Sequence, residues 1–325
     1  MLKRKQKYIL VMISTLTIIS CTDHNKEYAD PFKEVQLWLK QYGIHKSTDQ
    51  LRKIRFLTIR HPKVKDIKPL RYLTTLESLY LHKTKVANLT PLKNLPLLSK
   101  LRIERNDFLF DITPIKHLKN LRILTLTDTK VSDISPLRSL SKLRYLYISN
   151  NKITDITALR ALNNLVKLTL RVTKVKDISS LRKLYNLKNL DLGFNKRLSN
   201  LEPLKNLTNL RSLSLIFTGV YDLTPFKKLI NLYSLNIVAT KVSDLSPLIY
   251  LKNLTTLDLA KCPIKDFTPL IHLKKLKYML VDTKQIYVKG FSEFRRAVPK
   301  CRISKDRRPR PGYYYTKITL KGFTN

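Results

Sequence analysis

The chain has 325 residues, with 63 Lys and Arg against 23 Asp and Glu and a formal net charge of +40. Three cysteines are too few for a disulfide-stapled framework, and a chain of this length makes two ordinary domains unless it grows by stacking repeats. So positive a field favours contact with polyanions, is equally what a solubilising lysine-rich surface produces, and carries no information about fold.

Met1 to Lys7 is basic, Tyr8 to Ile19 is an apolar run of 12 residues, and the run stops at Ser20-Cys21. A spanning helix needs about 20 apolar residues, so residues 1–20 are expected to be a secretory signal. The segment Ile18-Ile19-Ser20-Cys21 resembles the lipobox of bacterial lipoproteins. That resemblance implies that Cys21 becomes a lipidated N-terminus carrying more than one acyl chain, because a single chain anchors only marginally. The alternative is a cleaved signal whose cysteine is incidental. Loss of Lys3, Arg4, Lys5 and Lys7 with the leader still leaves +36. Thr22 stands where an aspartate retains lipoproteins in the inner membrane, which implies export to an outer membrane or cell surface.

Residues 21–50 read as a tether and an N-terminal cap. Asp30-Pro31 supplies a cap residue followed by proline at the first helical position. Phe32, Val35, Trp38, Leu39 and Tyr42 then recur at helical spacing up to Gly43. This helix is expected to cover the exposed end of a stack, with Trp38 in the core.

From residue 51 a unit of 22 or 23 residues recurs, marked by Pro69, Pro91, Pro114, Pro136, Pro203, Pro225, Pro247 and Pro269, with Ala158 and Ser180 in the two gaps. Ten complete coils begin at Leu51, Leu73, Leu95, Leu118, Leu140, Leu162, Leu184, Leu207, Leu229 and Leu251, and a partial eleventh begins at Leu273. Counting from that first leucine, positions 6 to 10 alternate outward and inward, a short strand with one buried face. Position 12 holds Asn106, Asn151 and Asn195, and otherwise mostly Thr, placed to bond buried amides of adjoining coils. Positions 16 to 20 read Asp-Ile-Ser-Pro-Leu, a capped turn of helix on the opposite side. The Asp row supplies one carboxylate per coil, where a calcium site needs six to eight oxygens, so these residues read as caps. The extra residues at Phe108-Leu109-Phe110 and Lys196-Arg197-Leu198 fall just after the strand and should bulge without breaking the stack.

The pattern L-x-x-L-x-x-L-x-L-x-x-N/T-x-V/I-x-D-I/L-x-P-L resembles the leucine-rich repeats of bacterial internalin-type proteins over Leu51 to about Ile303. The resemblance implies an α/β right-handed curved solenoid, with a parallel β-sheet on the concave face, short helical or 3-10 turns on the convex face and a helical N-cap. It also implies a protein-binding scaffold whose partner is set by the variable positions. Thr often replaces Asn at position 12, and no immunoglobulin-like module or wall-anchor motif follows the repeats in this sequence.

The repeats are expected over 51–289, and 290–325 as a C-terminal cap and basic-aromatic tail. Ser292 to Val298 reads as a short amphipathic helix ahead of a final strand at Cys301–Ile303, with Phe294, Val298, Cys301 and Ile303 covering the open edge. Cys262 and Cys301 would stand two strand spacings apart, about 10 Å, beyond the roughly 7 Å that a disulfide tolerates, so free thiols are favoured. Tyr313 to Leu320 is a strand candidate that either folds back on the last coil or forms a contact arm.

No nucleophile motif, phosphate loop or zinc signature occurs, and His24, His45, His61, His82, His117 and His272 fall at unrelated positions. An enzyme is therefore not expected, and no cofactor or metal is implied. Function is sought at positions 6, 8, 10 and 11, which packing leaves free to vary. Coils one to six offer Phe56, Arg60, Tyr80, His82, Arg102, Arg105, Tyr145, Tyr147 and Arg171; coils seven to ten offer Phe194, Ile216, Phe217 and Val238. Aligned aromatic, apolar and Arg side chains are the types that mark contacts, so a monomer binding a protein ligand on its concave face is expected. The alternative is a polyanion, whether lipopolysaccharide, acidic glycan or nucleic acid, held by rows such as Lys85, Lys130, Lys152, Lys174 and Lys241 at position 13.

Overall fold

The computed structural model describes residues 30–305. The expected leader, Cys21 and the strand candidate Tyr313–Leu320 lie outside the described residues.

Helix α1 spans Pro31–Lys40, with the Asp30 carboxylate accepting from the Phe32 amide at 3.0 Å and Gly43 turning the chain at φ +73°. Val35, Trp38 and Leu39 face the core, Trp38 being 9% exposed. A second short helix, α2 at Thr48–Arg52, is not in the expected pattern. Its signal was the local sequence Ser47-Thr48-Asp49-Gln50, in which the Ser47 side chain and Gln50 cap each other's backbone amides. Arg52 on α2 reaches back to Asp30 at 2.5 Å, tying the two helices together.

Each coil then contributes one strand. The N-terminal six are β1 Phe56–Ile59, β2 Ser78–His82, β3 Lys100–Asn106, β4 Ile123–Thr129, β5 Tyr145–Ser149 and β6 Lys167–Arg171. The rest are shorter: β7 Asn189–Asp191, β8 Ser212–Ser214, β9 Ser234–Asn236, β10 Thr256–Asp258, β11 Tyr278–Leu280 and β12 Arg302–Ser304. They form one 12-stranded sheet in sequence order, every pair parallel. The register is set by the leucines: Leu79, Leu101, Leu124, Leu146 and Leu168 stand opposite one another across β2 to β6. All five are fully buried.

The opposite side is a row of 3-10 turns such as Thr113–His117, Ser135–Ser139 and Ser246–Tyr250. Their entry is fixed as the sequence implies. Asp111, Asp133, Asp155, Asp177, Asp222, Asp244 and Asp266 each accept from the backbone amide two residues on, at 2.7 to 2.8 Å. The two longer coils keep register, because Leu109 and Leu198 take the buried slot and the surplus lies outside at Phe108, Phe110 and Arg197.

Position 12 is the internal tie, and its three asparagines act differently from its threonines. Asn195 donates to Leu170 O at 2.7 Å and Leu192 O at 2.8 Å and accepts from the Thr173 hydroxyl at 2.7 Å, so it joins two coils. Asn151 likewise holds Leu126 O, Thr129 N and the Thr129 hydroxyl. Thr218 and Thr240 are shorter and bond the carbonyl three residues back in their own coil, Leu215 O and Ile237 O. Among the described residues no buried side-chain nitrogen or oxygen lacks a partner.

The C-terminal edge closes with α3 at Phe291–Ala297 and then β12, with Phe294 and Val298 buried. Gly290 opens α3 at φ +77°, and a Cβ there would meet Thr268 N at 2.4 Å. Cys262 and Cys301 are both buried, and burial raises the Cys262 pKa above the ordinary thiol value.

Candidate binding face

The outward strand positions make one continuous surface, and the N-terminal part of it is preorganised by charge. The Tyr80 ring has Arg60 at 5.4 Å and Arg102 at 4.7 Å from its centroid. Its hydroxyl donates to Glu104 Oε2 at 2.6 Å, and Arg102 donates to Glu104 Oε1 at 2.8 Å. The hydroxyl has a single proton and gives it to the carboxylate, so the 2.9 Å contact with His82 requires the imidazole to donate from Nδ1. Burial and the Glu104 hydrogen bond push Tyr80 up to about 12. Burial opposes ionisation of Glu104, but hydrogen bonds from Tyr80 and Arg102 outweigh it and hold the carboxyl below its ordinary value. Burial also lowers His82, and Arg105 and Arg60 add to that against the pull of Glu104. The imidazole is therefore neutral at pH 7.

Further along, Arg144 and Lys167 approach Tyr145 and Tyr147, with the cations 6.0 and 5.3 Å from the ring centroids. Arg171 lies over Phe194 at 4.4 Å and pairs with Asp191 at 3.4 Å. Phe194 stacks on Phe217, with centroids 5.0 Å apart and planes 24° from parallel. Ring and cation contacts thus join the expected residues in two runs, one over coils one to three and one over coils five to eight. Phe56 stands at the N-terminal end, 62% exposed, beside a shallow cleft lined by Lys46, Lys53 and Arg55.

Two expectations need correction. Ile216 and Val238 are 4% and 2% exposed, so they are buried where the sequence places them on the open surface. With Ala260 they form a satellite apolar cluster, packed by Phe194, Phe217, Ala239 and Leu280 from adjoining coils. Adjacent parallel strands bring like positions within about 5 Å, close enough for aligned apolar side chains to bury one another.

The second correction concerns position 11, which is no ordinary strand position. Lys83, Arg105, Asp128, Asn150, Val172, Phe194, Phe217, Ala239 and Lys261 all occupy it, and all have positive φ, between +52° and +65°. The backbone turns left-handed there in nine successive coils, which aims the Arg105, Phe194 and Phe217 side chains from the rim of the sheet.

Glu104 and Lys167 touch the expected residues Tyr80, Arg102 and Tyr147 and are absent from the expected set. Glu104 was legible as the sole acid at positions 6, 8, 10 and 11 of the first three coils, beside Arg102 and Arg105. Among the described residues no group of three or more His, Cys, Asp or Glu side chains could hold a metal ion. No described helix is long and apolar enough to cross a membrane.

The leucine-rich repeat family profile, as two copies, matches residues 119–161. No curated protein matches the sequence. Among solved structures, an internalin, InlF, from Listeria monocytogenes superposes with a TM-score of 0.71 at 23% identity, over 86% of this chain and 95% of that one. The functional domain of InlJ from the same organism gives 0.54 at 22% identity, over 65% and 45%. Internalin C2, also from Listeria monocytogenes, gives 0.56 at 34% identity over 59% of this chain and 82% of its own. The repeat unit, the sequential parallel sheet and that identity agree, and the chain belongs to the internalin-type leucine-rich repeat proteins.

Proposed function

We propose that this protein is a non-enzymatic scaffold of the bacterial envelope that binds another protein on its concave face, held to a membrane through Cys21. The observation that carries the reading is the Tyr80 cluster. Its ring is gripped by two guanidinium groups and its hydroxyl by a carboxylate, so the aromatic is ordered before any partner arrives. Ordering that is complete beforehand costs nothing on association, and Tyr and Arg are the residue types that dominate binding energy. Arg60, Tyr147 and Phe56 extend the same surface over coils one to five.

Capture from an envelope extract by the wild-type protein and by Arg60→Ala/Tyr147→Ala checks this. At least one polypeptide held by the wild type at physiological salt should be lost from the variant. Identical captured sets would remove the concave face from the reading.

A second reading has its own observation. Lys85, Lys130, Lys152, Lys174 and Lys241 are all exposed in one row at position 13, on a chain of net charge +40. A polyanion held there would dissociate steeply as salt rises, and Lys130→Ala/Lys152→Ala/Lys174→Ala would flatten that slope while leaving protein capture unchanged.

A further inference from the structure

The side of the stack opposite the sheet carries an unbroken row of like charge. Position 21 follows the buried apolar residue that closes each 3-10 turn. Arg71, Lys93, Lys116 and Arg138 occupy it in coils one to four, and Arg160, Arg182, Lys205 and Lys227 in coils five to eight. All eight are exposed. Position 13, by comparison, is interrupted by Asp107 and Gly219. Lysine and arginine interchange at position 21 while the charge stays, and an exposed site makes no packing demand for either. Neutralisation within the chain is slight. The Asp row of position 16 is committed to capping the same turns. Among the described residues Lys205 alone of the row is ion-paired, with Glu202 at 3.3 Å. Like charges held side by side repel, and an anion that spans them relieves the repulsion.

We propose that this convex row binds a linear acidic glycan, one with an anionic group on each sugar unit, lying across the coils. The spacing agrees. Strands lie about 4.8 Å apart and neighbouring turns bring Cα atoms within 8 Å, so the row repeats its charge on the scale of one sugar unit in an extended chain. The flanking groups agree as well. The Ser135, Thr157 and Ser179 hydroxyls at position 18 donate to Asp133, Asp155 and Asp177 at 2.9 to 3.1 Å, which leaves their lone pairs to accept from sugar hydroxyls. A single-stranded nucleic acid would need stacking surfaces beside the cations, and positions 18 to 22 of coils two to seven hold no Phe, Tyr or Trp. A flat bilayer touches a convex surface at few coils, whereas a flexible chain follows it over all eight. The row faces away from the sheet that carries Tyr80 and Arg102, so the inference stands whether or not the concave face has a partner.

The test is calorimetric titration of the purified full-length chain with oligogalacturonates of four, eight and twelve sugars, over a range of sodium chloride concentrations. Affinity should rise by about tenfold or more from four sugars to eight and little from eight to twelve, because the row ends at coil eight. Arg138→Gln/Arg160→Gln/Arg182→Gln should weaken binding of the eight-sugar chain by about tenfold and flatten its salt dependence. The charge-preserving Arg138→Lys/Arg160→Lys/Arg182→Lys should keep both. Lys130→Gln/Lys152→Gln/Lys174→Gln removes as many charges from position 13 and should leave the affinity nearly unchanged. Equal losses in the two glutamine variants, no dependence on glycan length, tighter binding of an eight-nucleotide oligothymidylate or of phosphatidylglycerol vesicles than of the eight-sugar chain, or no glycan binding would each overturn the proposal.

Discussion

Glu104 is the residue on which the charged half of the face turns. It accepts from both Tyr80 and Arg102 with only 19% of its side chain exposed. Its carboxyl is held below the ordinary value of 4.5, so the folded chain binds the proton less readily than the unfolded chain does. Its contribution to stability is complete above about pH 4.5 and is lost as pH falls through the lower folded value. Glu104→Gln should therefore lower stability by about 1–2 kcal/mol at pH 7, the range for charge-assisted bonds at a partly exposed site. The gap from wild type in urea titrations should stay level down to about pH 5 and close below about pH 4. A gap that persists at pH 3 would show that the charge is not what matters. The sequence placed Tyr80, Arg102 and Tyr147 on one face because period-two alternation dictates which side chains share it. It left Glu104 out because the attraction of a carboxylate for cations depends on distances between coils, which a pattern within one coil does not contain.

At the scale of one coil, the fold was legible almost to the residue. Leucines at fixed positions, an Asp-capped proline turn and the N-terminal helix all appear where spacing puts them. What escaped was conformation that no apolar period encodes, such as α2 with its Ser47–Gln50 box and the left-handed residue at position 11. The apolar run at Ile216 and Val238 was legible in composition but misread in exposure, since burial there comes from neighbouring coils. The difference between Asn and Thr at position 12 also becomes physical only once coils are stacked. Asn195→Thr keeps a bond to Leu192 O in its own coil and removes both bonds across the coils, leaving Leu170 O and the Thr173 hydroxyl only their longer 3.4 Å contact with each other. Losing two short buried bonds, partly offset by that contact, costs about 1 kcal/mol. The urea midpoint should fall accordingly, and amide exchange should quicken in β6 and β7 before it does in β2. Uniform acceleration along the chain would show that the tie is not local.

Residues 30–305 form a stack in which each unit meets its neighbours, so its stability is a sum of coil and interface terms with a cap at each end. Superimposed on that sum is the repulsion of 63 basic residues against 23 acidic ones. Most of these charges are exposed, and salt screens repulsion of this kind at the Debye length of about 8 Å reached at physiological ionic strength. Raising sodium chloride from low to physiological concentration should raise the thermal midpoint of the purified protein, and a fall would mean that surface ion pairs such as Arg55–Glu77 outweigh the repulsion. The recurring left-handed residue has an evolutionary consequence. Glycine and asparagine occupy that conformation at little cost, while other side chains give up roughly 1–2 kcal/mol there. Drift under selection for stability alone would carry Val172, Phe194 and Phe217 toward those two residues. Lineages that keep the bulky side chains despite the strain mark where selection acts on what the chain touches, beyond its need to fold.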